Sequence, residues 1–159
     1  MHLFRRPCGA DVQRLLDAAG LPSGDIGTEA LEHFFGCGAE HAPQGVAGLE
    51  ICGDDALLRS LAVDPHARDQ GCGRALVAEV ERHAERLGIA RIYLLTTTAG
   101  GFFAELGYEI APRDAAPEQI RTTSEFSKLC PAGATLMLKN LASVSGRARG
   151  TWRVIREEN

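Results

Sequence analysis

Residues 68–74 read Arg68-Asp69-Gln70-Gly71-Cys72-Gly73-Arg74 and sit between an apolar run, Leu57–Val63, and a long periodic segment at 75–88. Two glycines one residue apart, between a strand and a helix, gather backbone N–H groups at the positive end of the helix dipole, which suits phosphate. Glycine permits positive φ there and leaves no side chain to block a close approach. A plain connection between two elements is the competing reading of the same turn.

Three phosphate-binding patterns can be tested against it. A dinucleotide fingerprint needs a third glycine where Leu76 stands, and an acidic residue about twenty positions further on. Leu76 and the strand end "LLTTT" argue against it. A nucleotide P-loop needs a Lys-Ser or Lys-Thr step after its second glycine, and the chain has none there. The remaining pattern, Arg/Gln-x-x-Gly-x-Gly/Ala at the head of a helix, fits Arg68, Gly71 and Gly73.

A second chemical signal is Arg59, lodged among Leu57, Leu58, Leu61 and Val63. A charge in such company is costly without a partner. Its planar fork suits a substrate carboxylate or other oxyanion, or else an internal ion pair, for instance with Glu50. His33, His41, His66 and His83 have no ligand-like spacing. The five cysteines, Cys8, Cys37, Cys52, Cys72 and Cys130, are odd in number and form no C-x-x-C pair, so no metal site is expected and reduced thiols in a cytoplasm fit best.

The elements that must position these residues follow from periodicity. Residues 2–6 read as a first strand, and Asp11 as the cap of a helix ending at Gly20. Residues 31–37, 46–52 and 57–63 read as three short strands with tight connections, which only antiparallel neighbours allow. From 74 to 88, Leu76, Val77, Val80, Ala84 and Leu87 recur at three- and four-residue steps opposite charged residues, an amphipathic helix stopped by Gly88. Residues 91–95 form a strand, which completes a strand–helix–strand unit around the glycine turn. A loop and short helix at 96–106, a strand at 107–110, a helix at 117–129 and a last strand at 134–139 complete the pattern. Residues 142–159 lose it and are expected to form a mobile tail.

Composition bounds the class. The chain has 159 residues, 45% hydrophobic and 24% charged, enough for one domain with a sizeable core. A net charge of −4 offers no global attraction for nucleic acid or an anionic membrane, so an anionic partner needs a local site. The N-terminus lacks the apolar segment of a secretory signal, and no run reaches the length of a membrane span.

The stretch "SLAVDPHARDQGCGRALVAEVERHAERLG" resembles the acetyl-coenzyme A motif of the GNAT superfamily of N-acetyltransferases, and "AGGFFAELGYE" (99–109) resembles that family's next motif. Residues 1–141 more narrowly resemble the arsenic-resistance N-acetyltransferases, through "AAGLPSGDI", "LLRSLAV", "YLLTTTA", "FFAELGY" and "IRTTSEFSKLCP". The resemblance implies one domain at 1–141, followed by the tail. It implies an α/β (α+β mixed) fold: a central, mostly antiparallel twisted sheet of six to seven strands flanked by helices on both faces. It also implies acetyl-coenzyme A as co-substrate. Backbone at Leu61, Ala62 and Val63 would pair with the pantetheine arm, amides from Arg68, Asp69, Gln70, Gly71, Cys72, Gly73 and Arg74 would hold the pyrophosphate, and Phe102 and Phe103 would lie beside the cofactor. A homodimer is compatible with the family.

The chain departs from the family at two chemical positions. Where many relatives carry a glutamate base it has Arg59, leaving Glu50 as the best carboxylate for proton removal, though Glu50 is equally a solvated strand residue or the partner of Arg59. Where they carry a tyrosine acid it has Phe102-Phe103. Thr96, Thr97 and Thr98 offer hydroxyls nearby, or merely end a strand and cap a helix. Ser60 joins Arg59 as an expected substrate contact. The expected reaction is acetyl transfer to a small amine bearing an acidic group, an amino acid or an arsenic-containing analogue. The alternatives are a non-catalytic acyl-coenzyme A sensor, and an arsenical-binding protein using Cys130.

Overall fold

A computed structural model describes residues 2–129 and 133–141. The expectations for Cys130 and for the tail fall outside them. In chain order the elements are β1 (Leu3–Arg5), α1 (Gly9–Ala19), β2 (Phe34–Ala39), β3 (Ala42–Cys52), β4 (Asp55–Val63), α2 (Cys72–Arg86), β5 (Arg91–Thr96), α3 (Gly100–Glu105), β6 (Glu109–Ala111), α4 (Glu118–Arg121) and β7 (Thr135–Asn140). They build a seven-stranded sheet in the order β1-β2-β3-β4-β5-β7-β6. Every neighbouring pair is antiparallel except β4 with β5. That exception has a cause: α2 is the crossover between them, and only a crossover returns a strand in the same direction.

Strand alternation sorts the core onto two faces. Phe34, Val46 and Ala62 meet Val12, Leu15 and Leu16 of α1. On the other face Phe35, Ala47, Leu49 and Leu58 pack with Leu76, Val77, Val80 and Ala84 of α2. Leu57, Tyr93 and Leu136 bury Ile120 of α4 in a third cluster. The register pairs Glu50 with Leu57 and Gly48 with Arg59, so Glu50, Leu57 and Arg59 share the α1 and α4 face.

Several expected boundaries move. The glycine turn is part of α2, which starts at Cys72 rather than 74, with Gly71 as its N-cap. The cap of α1 is Cys8, and Asp11 lies in the first turn instead, where its charge complements the dipole and pairs with Arg14 at 3.6 Å. The expected strand from 31 begins as a 3₁₀ turn, Ala30–His33. β3 is longer than expected, reaching back to Ala42. The expected helix at 117–129 breaks after Arg121 and resumes as a π turn, Glu125–Leu129. Thr123 accounts for the break: its hydroxyl donates to the Ile120 carbonyl at 2.7 Å and accepts from the Phe126 amide at 3.2 Å, competing with the helical ladder. Among the described residues no helix is long and apolar enough to cross a membrane.

Two irregularities in β4 shape everything that follows. Ala47 faces both Ser60 and Leu61 across the β3 register, a β-bulge, and Ser60 takes φ +62°. A left-handed serine costs on the order of 1 kcal/mol, which its surroundings must hold in place. In addition, β4 and β5 share only the pairs Asp55–Arg91, Ala56–Ile92 and Leu57–Tyr93. Beyond Leu57 the two strands part.

Candidate functional site

The parting of β4 from β5 opens a cleft of about 1190 Å³ whose walls include Arg59 to Val63 on one side and Leu94 to Thr98 on the other. β5 keeps its far edge bonded to β7 through Leu94, Leu95 and Thr96, so the gap is confined to its β4 side. The β4 backbone past Leu57 therefore turns toward the cleft an edge that β5 does not bond. An extended chain can complete such an edge by adding a strand. Leu61, Ala62 and Val63 lie on this stretch.

The mouth of the cleft is the start of α2. Asp69 and Gly71 both have positive φ, +67° and +86°, and the helix begins immediately after. Alternating left- and right-handed residues turn successive amides to one side, and the first-turn amides of α2 have no acceptor within the helix. A Cβ at Gly71 would meet nothing within 4 Å, so space stands open above it, while a Cβ at Gly73 would lie 3.3 Å from the Phe102 ring. Arg68, Asp69, Gly71, Cys72, Gly73 and Arg74 line the cleft. Gln70 is not on its wall; its amide turns back toward the His66 carbonyl at 3.4 Å. Arg74 binds Glu105 at 2.6 Å on an exposed surface.

Cys72 is 1% exposed, and its sulfur sits where a Cβ on Gly45 would fall. Burial, reinforced by the neighbouring Cys37 thiol, pushes its pKa up to about 12, so the helix end does not activate it. Phe102 is half-buried against the cleft, while Phe103 is buried edge-to-face with Tyr108. Tyr108 lies in the core and donates to Glu81 at 2.9 Å. Thr96 is half-buried on the wall, ends β5 as its alternative reading foresaw, and accepts from the Ala99 amide at 3.0 Å; it does not cap α3, whose N-cap is Ala99 without a side-chain bond.

At the inner end stands Arg59, 6% exposed. The structure surrounds it with carboxylates from three directions. Asp25, from the segment after α1, takes the guanidinium fork with both oxygens, one of them at 2.7 Å from Nη2. Glu125, from the π turn, lies 3.3 Å from Nη2, and Glu50, from β3, lies 3.6 Å from Nη1. The remaining donor, Nε, goes to the Ser60 hydroxyl at 2.9 Å and so steadies the strained bulge. The ion pair with Glu50 was the foreseen internal alternative for Arg59; the Asp25 and Glu125 contacts were not foreseen. No short motif signals them, because both come from connecting segments remote in sequence.

These charges shape one another. Burial works against the Arg59 charge, but the Asp25 hydrogen bond and the fields of Glu125, Asp25 and Glu50 outweigh it and raise its pKa. The Arg59 hydrogen bond holds the Asp25 carboxyl below its ordinary value, against the pull of burial. Glu50 behaves oppositely: burial raises its pKa, and Asp25 and Glu125 add to that, more than the Arg59 charge lowers it. Its side chain is 38% exposed, yet Oε1 is shut off from solvent and accepts no hydrogen bond. Glu50 does not line the cleft wall; it pairs with Arg59, which does. The oxygen so sealed is the one that faces Arg59, and a carboxylate with a raised pKa is a candidate for proton transfer. Among the described residues no group of three or more His, Cys, Asp or Glu side chains is arranged to hold a metal ion.

Comparison with known proteins gives these features a context. The acetyltransferase (GNAT) domain family matches residues 30–110, about half of the chain. An amino-acid acetyltransferase of Neisseria meningitidis is 41% identical over 70 residues, 44% of this chain and 15% of that protein. An uncharacterised N-acetyltransferase of Chlorobaculum tepidum is 32% identical over 54% of this chain and 56% of its own. Among solved structures, the N-acetylglutamate synthase of Neisseria gonorrhoeae, complexed with coenzyme A and N-acetyl-glutamate, superposes with a TM-score of 0.75 at 25% identity, over 88% of this chain and 35% of that one. A Mycobacterium tuberculosis protein solved with CoA and NLQ has a TM-score of 0.71 at 24% identity, over 89% of this chain and 99% of that one. The chain thus spans 15% of the length of the Neisseria meningitidis enzyme and 56% of the Chlorobaculum protein.

Proposed function

Because the chain belongs to the GNAT acetyltransferase family, we propose that it transfers the acetyl group of acetyl-coenzyme A to the amine of a small amino acid-like acceptor. The observation that carries the proposal is the joining of two sites by one cleft. A bare strand edge and an amide-rich helix start occupy the outer part, and Arg59 and Glu125 of the four-member charge cluster the inner part. The relatives named above as amino-acid acetyltransferase and N-acetylglutamate synthase support an amino acid as acceptor.

The residues present fit the co-substrate. Open space at Gly71 and the left-handed turns at Asp69 and Gly71 leave room for a diphosphate against the α2 amides. The free β4 edge at Leu61–Val63 fits a pantetheine arm in extended form. When bound, acetyl-coenzyme A supplies a thioester carbon open to attack by an amine. The chain's own part is to hold that amine in position, to take its proton and to stabilise the developing oxyanion. Glu50 is the proton acceptor, directly or through water. The bulge releases one amide of the Ser60–Leu61 pair from the β3 ladder, a donor for the carbonyl oxygen. No side-chain acid is required, since a thiolate leaves tolerably near neutral pH.

The finer reading, an arsenic-containing amino acid analogue as acceptor, rests only on the resemblance of sequence stretches to the arsenic-resistance group. A panel of amino acids with their phosphorus and arsenic analogues, assayed for thiol release from acetyl-coenzyme A, tests both levels. Release with plain amino acids supports the coarser reading, and a marked preference for the arsenical supports the finer one. Tight acetyl-coenzyme A binding without release from any amine would turn the reading toward a non-catalytic sensor.

A further inference from the structure

The Arg59 fork is occupied by a carboxylate that belongs to the protein. Asp25 makes the two-oxygen contact that an acceptor carboxylate would make; it stands just behind the cleft wall, which Arg59 and the preceding Ala19 to Pro22 line. We propose that Asp25 is an internal stand-in for the acceptor's carboxylate: it holds Arg59 charged and oriented in the empty site, and an incoming carboxylate displaces it. The inference rests on the amino acid acceptor proposed above and assigns the residue that sets its specificity.

Asp25, rather than its two neighbours on Arg59, is the displaceable one for reasons of geometry. Glu50 is fixed in the middle of β3, bonded in register with Leu57, and does not fill the fork. Glu125 is buried, with 9% of its side chain exposed, against 21% for Asp25. Asp25 belongs to a segment without helix or strand from Leu21 to Glu29, flanked by Gly24 and Gly27, at both of which an added Cβ would touch nothing. Leu21 and Ile26 anchor the segment by packing on the α1 core, and Ser23 by a bond from Gln13. These anchors leave the segment in place when the ion pair opens. Moving Asp25 therefore requires a local change in a glycine-flanked turn and leaves the sheet intact.

Charge balance favours exchange over simple addition. With Asp25 in place the cluster holds three carboxylates and one guanidinium, so a further anion enters an unfavourable field. With Asp25 swung into water, an amino acid brings a carboxylate to the vacated fork and an amine toward Glu50 and Glu125. The cluster left behind is thus complementary to both ends of a zwitterion, while Asp25 turns away ligands unable to replace a bidentate carboxylate.

The test is steady-state acetyl transfer by wild type and Asp25→Ala, using amino acids and the matching carboxamides as acceptors. Removal of an internal competitor lowers KM for the carboxylates by about tenfold, leaves KM for acetyl-coenzyme A unchanged and does not help the carboxamides. An unchanged or raised KM for carboxylates, or an equal gain for the carboxamides, overturns the displacement while the transferase reading stands. Inert wild type and inert variant, both still binding acetyl-coenzyme A in calorimetry, overturn the amino acid acceptor and this inference with it. A crystal structure of the wild type with acceptor and coenzyme A gives an independent check: an acceptor carboxylate bound elsewhere beside an intact Asp25–Arg59 pair refutes it.

Discussion

Arg59 and Glu50 show how far single residues can be read. A lone arginine between leucines announces in the sequence that a partner exists, because burial of an unpaired charge is too costly to survive. It does not announce that three partners converge, since Asp25 lies 34 positions away in a turn without regular structure. The cluster makes Arg59→Ala a stability variant before it is a kinetic one. Three carboxylates would be left facing one another around a buried void, and the expected loss is about 3 kcal/mol or more, read as a lower midpoint in urea unfolding. A preserved midpoint would show that the cluster relaxes into water. Glu50→Gln separates chemistry from structure, because the amide keeps the shape and removes the base. In wild type kcat/KM is expected to fall as pH drops through the Glu50 pKa, which burial places above the ordinary carboxylate value. In the variant kcat drops and that acidic limb disappears. An unaltered acidic limb would assign it to another group.

At the scale of elements, legibility followed periodicity. α2 was readable because its apolar positions recur at helical spacing, and the meander because short links permit nothing else. The segment after Pro117 misled because Thr122 and Thr123 tolerate a helical pattern, while the Thr123 hydroxyl takes over the carbonyl and amide of the ladder. The bulge at Ser60 left no mark, since serine is not a residue that a left-handed position selects. Gly71 does carry such a mark, and it can be tested. Gly71→Ala touches no neighbour but must hold φ +86°, so the expected cost is about 1 kcal/mol of stability, together with weaker acetyl-coenzyme A binding by calorimetry as the turn relaxes. Lost stability with unchanged affinity would remove this turn from the diphosphate site.

For the whole molecule, the strand–helix–strand unit around the glycine turn was legible from periodicity, while the mostly antiparallel sheet of six to seven strands came from the resemblance to the GNAT motifs. The order of strands beyond β5 was not legible, because β6 and β7 exchange places relative to the chain, and nothing in a three-residue strand such as Glu109–Ala111 encodes its neighbour. The inner end of the cleft was similarly hidden. It is assembled where the segment after α1, the middle of the sheet and the π turn meet, a rendezvous that only the finished topology defines.

That β4 and β5 share only three pairs makes the sheet two plates zipped for a short way and then left unfastened. The outward amides of β4 beyond Leu57 should therefore trade deuterium far faster than those of Asp55–Leu57, although the same strand carries both. Adding coenzyme A should slow that trade along Leu61–Val63 and leave the zipped end as it was. The ligand would then be a missing piece of secondary structure as much as a reactant, and the fold would reach its full complement of strands only while at work.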